Sequence, residues 1–207
     1  MDSVVDFEAL VAPKAYALSR AQRRLWIAAQ LGDSASAAYN IAAAFRFSEG
    51  LDEVRLASAW RVLLERHSVL RSAFVPATKS PDGSYAMASD GEEIAQLMRP
   101  SDSWSLLEKK LPRTENPDLA IARFARDEAA AALDLEKEWL VKITLLRFEG
   151  SRETGLIIVI HHTVCDGLSI PILTRELEML YSDQAYAFEP VRQYWQEIDS
   201  EGARDAS

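Results

Sequence analysis

Two adjacent histidines followed by an aspartate and a glycine are the residues whose types and spacing best suit catalysis. His161 and His162 end an apolar, β-branched run, and the turn residues Asp166-Gly167 follow. Such a run, bounded by Gly155, predicts a strand buried on both faces. The end of a buried strand can hold a side chain rigidly beside a ligand, and imidazole is the usual general base near neutral pH. The pattern therefore predicts His162 as the working base, with Asp166 bracing the turn.

A purely structural role for these residues is the competing interpretation. A histidine that follows an apolar strand is more often a hydrogen-bonded core or loop residue than a catalytic group. The spacing from His162 to Asp166 is weak evidence by itself. The catalytic interpretation therefore depends on features elsewhere in the chain.

Composition and charge describe an ordinary globular protein. The 207 residues, 48% hydrophobic and 27% charged, suit one sizeable core or at most two small ones. The formal net charge of -9 argues against a nucleic-acid backbone or an anionic membrane as a partner. No apolar run approaches the length of a membrane span, and the N-terminal residues lack a signal-peptide pattern. We therefore expect a cytoplasmic protein.

The cysteine content and the absence of several known motifs limit the kinds of chemistry expected of this sequence. Cys165 is the only cysteine, so no internal disulfide points to an oxidising compartment. It could be a nucleophile, but its aliphatic neighbours favour an inert buried thiol. The sequence shows no metal-ligand cluster, glycine-rich phosphate loop or Gly-x-Ser-x-Gly elbow. We expect no bound cofactor and no metal.

Several helices must position these residues. Ser19 and Gln22 have the spacing of a capping box, in which each side chain satisfies a backbone N–H of the other residue. Asn116-Pro117 predicts the start of another helix, and a third begins near Ser169. A further helical pattern ends at His67, which we interpret as a boundary residue on the apolar face of that helix.

The predicted strands alternate with these helices. We expect strands at residues 39–47, 69–75, 140–148 and 156–161, and the last two form a hairpin. Residues 76–104 are the least regular, with short strands at most near 85–88 and 104–107. The predicted fold class is therefore α/β, a mixed-sheet α/β sandwich. We expect a lead-in over residues 1–13, one lobe over 14–198 and a polar, disordered tail over 199–207.

Three stretches together resemble the condensation domains of nonribosomal peptide synthetases. The first core motif of that family resembles Ser19-Arg20-Ala21-Gln22-Arg23-Arg24-Leu25-Trp26, with Gln30-Leu31 following. The second resembles Arg66-His67-Ser68-Val69-Leu70-Arg71-Ser72-Ala73-Phe74, and the HHxxxDG signature matches His161-His162-Thr163-Val164-Cys165-Asp166-Gly167. Their order and their placement along most of the chain make the resemblance specific.

The resemblance implies a fold and a reaction. The fold is like that of chloramphenicol acetyltransferase, with two lobes in a V and HHxxxDG at the floor of the tunnel between them. An acceptor amine attacks a donor thioester, and carrier proteins hold both substrates on phosphopantetheine. His162 matches the catalytic histidine, which either takes the amine proton or holds the amine and stabilises the charged intermediate. His161, Asp166 and Arg71 match supporting residues, with Arg71 expected to pair with Asp166, and Gly167 lets a backbone amide approach the reacting centre.

The resemblance extends over the N-terminal lobe of that family. A single lobe has one wall of the tunnel, so we expect it to be incomplete and inactive without the second lobe. The expected partners are acyl or peptidyl carrier proteins, together with the missing C-terminal lobe or a second copy bound through the open cleft face. Two alternative functions remain: an ester-forming acyltransferase of the same superfamily, and a non-catalytic half-domain that docks carrier proteins or a partner lobe.

Overall fold

A computed structural model describes residues 15–81, 84–87, 91, 93–112, 114–183, 186–196 and 198. The expected lead-in over residues 1–13 and the expected tail over 199–207 lie outside these residues. The helices are α1 (Arg20–Ala29), α2 (Asp33–Ala37), α3 (Glu53–Arg66), α4 (Pro117–Ala130) and α5 (Ser169–Ser182). The strands are β1 (Ala15–Tyr16), β2 (Asn40–Phe47), β3 (Ser72–Lys79), β4 (Tyr85–Met87), β5 (Glu93–Met98), β6 (Leu107–Leu111), β7 (Val141–Phe148) and β8 (Thr154–His161).

The main sheet has the strand order β2-β8-β7-β6. The pairs β2–β8 and β7–β8 are antiparallel, whereas β6–β7 is parallel, so the sheet is mixed as predicted. The predicted hairpin of β7 and β8 is confirmed. The remaining strands β1, β4, β3 and β5 close into a small antiparallel barrel beside this sheet.

Strand β8 is buried along its whole length because helices cover both faces of the main sheet. Ile157 and Val159 face α4, where they pack in one cluster with Ala120 and Ile121. Ile158 faces the opposite way, into the larger core formed with α3 and α5. This arrangement explains why β8 is a continuous apolar run rather than an alternating one, and it confirms the predicted strand buried on both faces.

Gly155 allows α4 to lie close against the sheet. A Cβ atom at this position would meet the Ile121 Cγ1 atom at 2.6 Å, which is shorter than a normal contact. The glycine therefore bounds the apolar run and also lets the helix approach β8.

The sequence predictions are least accurate between α3 and α4. Residues 68–71 form a 3-10 turn, so the strand expected at 69–75 begins only at Ser72, and Arg71 lies in the turn. Strand β5 (Glu93–Met98) lies within the stretch that we described as irregular. Its fully buried polar residue, Gln96, donates a hydrogen bond to the Ser72 hydroxyl at 2.5 Å. A strand with polar residues inside the barrel does not show the apolar alternation on which the prediction depends.

Candidate active site

The His162 side chain is exposed at the end of the most buried strand. Strand β8 ends at His161, and the next backbone N–H, that of His162, donates to the Tyr39 carbonyl at 2.8 Å. Within the part of the chain that the structure describes, the His162 imidazole makes no hydrogen bond and is exposed. The backbone is therefore anchored while the ring stays available to a ligand.

His161 is buried and forms part of the scaffold. Its ring is 0% exposed, and its Nδ1 atom accepts from the Thr163 backbone N–H at 3.3 Å and lies 2.9 Å from the Thr163 hydroxyl. The proton of the neutral ring therefore lies on Nε2. Burial lowers the pKa of His161 to about 4; the Ser36 backbone partly opposes this shift, and the nearby charge of His162 adds to it. A ring held neutral in this way supports the fold and exchanges no proton near neutral pH.

Acid is expected to destabilise the fold through His161. In the unfolded chain the ring takes up a proton near its ordinary pKa of 6.5, whereas in the folded chain it does so only near pH 4. The contribution to stability is therefore fully present above the unfolded value and is lost as the pH falls towards the folded one. The loss should be on the order of 3 kcal/mol in the free energy of unfolding, which denaturant titration at a series of pH values measures.

The variant His161→Asn isolates this effect from that of the carboxylates. The asparagine side-chain oxygen can still accept the Thr163 N–H, but the group does not titrate. The free energy of unfolding of the variant should therefore fall less steeply between pH 6.5 and about 4 than that of the unchanged chain. Equal slopes would show that His161 is not the group responsible.

Asp166 caps helix α5 rather than contacting Arg71. Its Oδ1 atom accepts from the Leu168 N–H at 3.1 Å, the Ser169 N–H at 2.9 Å and the Ser169 hydroxyl at 2.6 Å. The Ser169 hydroxyl is the main cause of the lowered pKa of Asp166, and the two backbone N–H groups contribute. The predicted helix start near Ser169 is confirmed, and the Asp166 carboxylate, two residues before Leu168, satisfies the first N–H donors of this helix.

The expected pair of Arg71 with Asp166 is not found. Arg71 donates from Nε to the Leu64 carbonyl at 2.8 Å and from Nη1 to the Arg99 carbonyl at 2.6 Å. Its Nη2 atom lies 3.6 Å from the Glu65 carboxylate. The last turn of a helix leaves backbone carbonyls without donors, and the guanidinium satisfies one of these at the end of α3. Arg71 thus stabilises the turn between α3 and β3.

Gly167 and Cys165 of the motif differ in their surroundings. An added Cβ atom on Gly167 would meet no described atom within 4 Å, so this lobe does not by itself require a glycine there. The predicted role of Gly167, to let a backbone amide approach the reacting centre, stays a prediction. Cys165 is buried, and burial followed by the Asp166 charge raises the pKa of its thiol to about 11. The thiol is therefore not a nucleophile near neutral pH.

The surface next to the motif is open and apolar. Leu168 is 82% exposed and Ile172 is 54% exposed, although both lie at the start of α5. Beside them lies a groove of about 410 Å³ lined by Pro171, Ile172, Arg175, Glu176, Met179, Tyr186 and Phe188. Exposed apolar side chains beside a candidate catalytic histidine are typical of an interaction surface.

Sequence reasoning missed one residue of the site. Gln22 in α1 donates from Nε2 to the Thr163 carbonyl at 3.3 Å, immediately after His162. The capping box already explains a glutamine at this position locally, so the sequence shows no sign of its second partner. The contact joins residues 141 positions apart and becomes visible only in the fold.

Comparison with known proteins connects this geometry to one family. The profile described as "Condensation domain" matches residues 12–204. Bacitracin synthase 3 of Bacillus licheniformis is 34% identical over 168 residues, and malpinin synthetase of Mortierella alpina is 32% identical over 165 residues. Each alignment covers 80% of this chain and 2% of the relative, so the chain spans a small part of the length of these proteins.

Solved structures share the fold. The starter condensation domain of rhizomide synthetase RzmA superposes with a TM-score of 0.71 at 23% identity, over 93% of this chain and 44% of that one. The epimerization domain from the third module of tyrocidine synthetase B superposes with a TM-score of 0.72 at 20% identity, over 95% and 42%. These likenesses confirm the predicted fold, a single α/β lobe like that of chloramphenicol acetyltransferase. Among the described helices, none has the length and apolar character needed to cross a membrane.

Proposed function

The chain belongs to the condensation-domain family, and we propose that it supplies one wall of an active site for amide-bond formation. The donor is an acyl thioester and the acceptor is an amine, each carried on the phosphopantetheine of a carrier protein. The observation that supports this proposal most is the exposed imidazole of His162, which makes no hydrogen bond to the described residues, on a backbone fixed by β8. Relatives whose names include bacitracin synthase and malpinin synthetase support the reaction class.

His162 would act on the amine at the reacting carbonyl. The amine nitrogen attacks the thioester carbon, the tetrahedral intermediate collapses with cleavage of the C–S bond, and the released thiolate takes up the proton that the nitrogen loses. The imidazole either accepts that proton or holds the amine and stabilises the charged intermediate. A thioester is already activated, so much of the rate enhancement comes from holding two tethered reactants together.

A second lobe would complete this site. The chain matches 42% to 44% of the length of the condensation and epimerization domains that share its fold. His162 and the neighbouring apolar residues Leu168 and Ile172 lie open on the described surface. We propose that the remaining lobe covers this face and forms the opposite wall of the tunnel, so that the lobe alone has no turnover.

The acceptor atom distinguishes the proposed reaction from its closest alternative. We expect the two-lobe protein, supplied with a carrier-bound acyl thioester, to convert an amine acceptor faster than an otherwise identical hydroxyl acceptor. Mass spectrometry of the carrier proteins measures amide and ester products in the same reaction. A preference for the hydroxyl would favour an ester-forming acyltransferase of the same superfamily.

Carrier-protein binding without turnover would instead favour a docking half-domain. The isolated lobe serves as the matched control, because it has His162 without the opposite wall. Turnover by the lobe alone at the rate of the two-lobe protein would contradict the proposed need for a second lobe.

A further inference from the structure

We propose that Gln22 is a positioning residue, which fixes the loop that carries His162 through a hydrogen bond from α1. The proposal rests on the proposed function, because it assigns Gln22 a part in the same reaction. Gln22 is the buried residue of α1, with 2% exposure, whereas its neighbours Ala21 and Arg23 are exposed. A polar side chain buried on an otherwise accessible helix needs a specific partner, since an unpaired amide in the interior is costly.

The capping box sets the orientation of the Gln22 amide. Its Oε1 atom accepts from the Ser19 backbone N–H at 3.0 Å, and the Ser19 hydroxyl accepts from the Gln22 backbone N–H at 3.1 Å. Because the amide oxygen bonds to the N–H at the start of the helix, the NH₂ group of the same amide points away from the helix. This group meets the Thr163 carbonyl at 3.3 Å. The local cap therefore also aims a donor at the loop of the candidate active site.

The hydrogen bond from Gln22 holds the backbone just after His162, and a second hydrogen bond holds the backbone N–H of His162 itself. The His162 N–H donates to the Tyr39 carbonyl at 2.8 Å, and the Thr163 carbonyl accepts from Gln22. Thr163 is itself 4% exposed, so its carbonyl cannot readily exchange Gln22 for water. Loss of the Gln22 donor would free the segment to move, and a displacement of about 1 Å at a reacting group can cost roughly 100-fold in rate.

The variant Gln22→Glu separates positioning from helix capping. A glutamate keeps one oxygen for the Ser19 N–H, so the capping box persists. Its second oxygen faces the Thr163 carbonyl, and two acceptors at this distance repel each other. We expect the kcat of the two-lobe protein to fall by about 10- to 100-fold with little change in KM, because positioning acts on the transition state. Should this variant not fold, Gln22→Met also removes the donor to Thr163, but it removes the acceptor of the Ser19 N–H as well. It is therefore compared with a variant that loses only a helix cap.

Asn116→Ala is the matched control for stability. It removes the cap of α4, where the Asn116 side chain accepts from the Leu119 N–H. This helix start lies at the Gly155 end of β8, opposite to His161, because Asp118 pairs with Arg46, the register partner of Gly155. Both variants should have lower melting midpoints, and only the Gln22 variant should lose kcat. An unchanged kcat in the Gln22 variant, or an equal loss in both variants, would overturn the proposal.

A spectroscopic measurement keeps this test independent of turnover. In the 207-residue chain, the nuclear magnetic resonance signals of the His162 ring and the Thr163 backbone should shift in Gln22→Glu and stay in place in Asn116→Ala. Unchanged signals in the Gln22 variant would overturn the positioning role whatever the activity. If the signals shift but the unmodified two-lobe protein joins no substrates, the proposed function fails and the role of Gln22 in fixing the loop stands.

Discussion

Replacing His162 by alanine in the two-lobe protein is expected to lower turnover by a factor of roughly 100 to 10,000, the usual contribution of a general acid or base. The melting midpoint should stay the same, because the ring is exposed and makes no hydrogen bond to the described residues. Turnover with saturating carrier-bound substrates and a thermal unfolding curve measure the two effects. Unchanged turnover would contradict the assignment of His162.

The control for this variant is another histidine of the same chain. His67 lies 2.6 Å from the Glu176 carboxylate in a partly buried cluster, away from the HHxxxDG loop in sequence. His67→Ala removes one partner of Glu176 but keeps its pair with Arg66, so it should lower the melting midpoint and leave the turnover of the folded protein unchanged. The opposite responses of the two histidines would show that His162→Ala acts on chemistry rather than on folding.

A second substitution at His162 separates its two possible roles. Glutamine can hold an amine through a hydrogen bond, but it cannot take up a proton near neutral pH. If His162 takes the amine proton, His162→Gln should be as inactive as His162→Ala. If it holds the amine and stabilises the charged intermediate, the glutamine variant should keep part of the turnover.

The sequence predicted the local geometry well where the relevant residues are close together in the chain. His161, His162 and Asp166 lie on one strand end and the turn that follows, so their proximity needs no knowledge of the rest of the fold. The capping box of Ser19 and Gln22 is also local, and its two reciprocal hydrogen bonds are present. The mixed α/β sandwich followed in the same way from the alternation of helices and strands around the hairpin of β7 and β8.

The prediction failed where a side chain finds its partner through the tertiary fold. Arg71 was expected to reach Asp166, but it donates to backbone carbonyls, which carry no signal in the sequence. In α1 the structure exposes the apolar residue Ala21 and buries the polar residue Gln22. Periodicity assigns a buried face by hydrophobicity, so it cannot anticipate a polar residue buried for a distant hydrogen bond.

Glu176 is another polar residue that the fold buries for partners on a different helix. It lies on the inward face of α5 between the apolar residues Leu173 and Leu180, yet it is 8% exposed. Both of its carboxylate oxygens lie 3.1 Å from Arg66 Nε. His67 Nε2 lies 2.6 Å from one of them. This cluster joins α5, which Asp166 caps, to the end of α3.

Glu176→Ala is expected to lower the free energy of unfolding by about 3 kcal/mol, the lower end of the range for buried pairs, because it leaves the partly buried Arg66 charge without its carboxylate partner. Arg66 cannot easily turn to solvent, since its Nη1 atom donates to the Glu189 carbonyl at 2.5 Å and its guanidinium lies 4.6 Å from the Phe188 ring centre. Denaturant titration measures the change. Because α5 carries the cap formed by Asp166, we expect the loop between β8 and α5 to lose protection in hydrogen exchange as well.

The exposed ion pair of Glu49 with Arg152 provides the matched control, since the two side chains are 81% and 82% exposed. Glu49→Ala should leave the unfolding curve unchanged, because solvent screens exposed pairs strongly. An equally small effect of Glu176→Ala would show that Arg66 and His67 need no buried partner. A double variant, Glu176→Leu with Arg66→Met, tests whether burial or the ion pair holds α5 against α3. If it restores most of the lost stability, burial is the main contribution. Apolar residues that replace other buried ion pairs often have this effect.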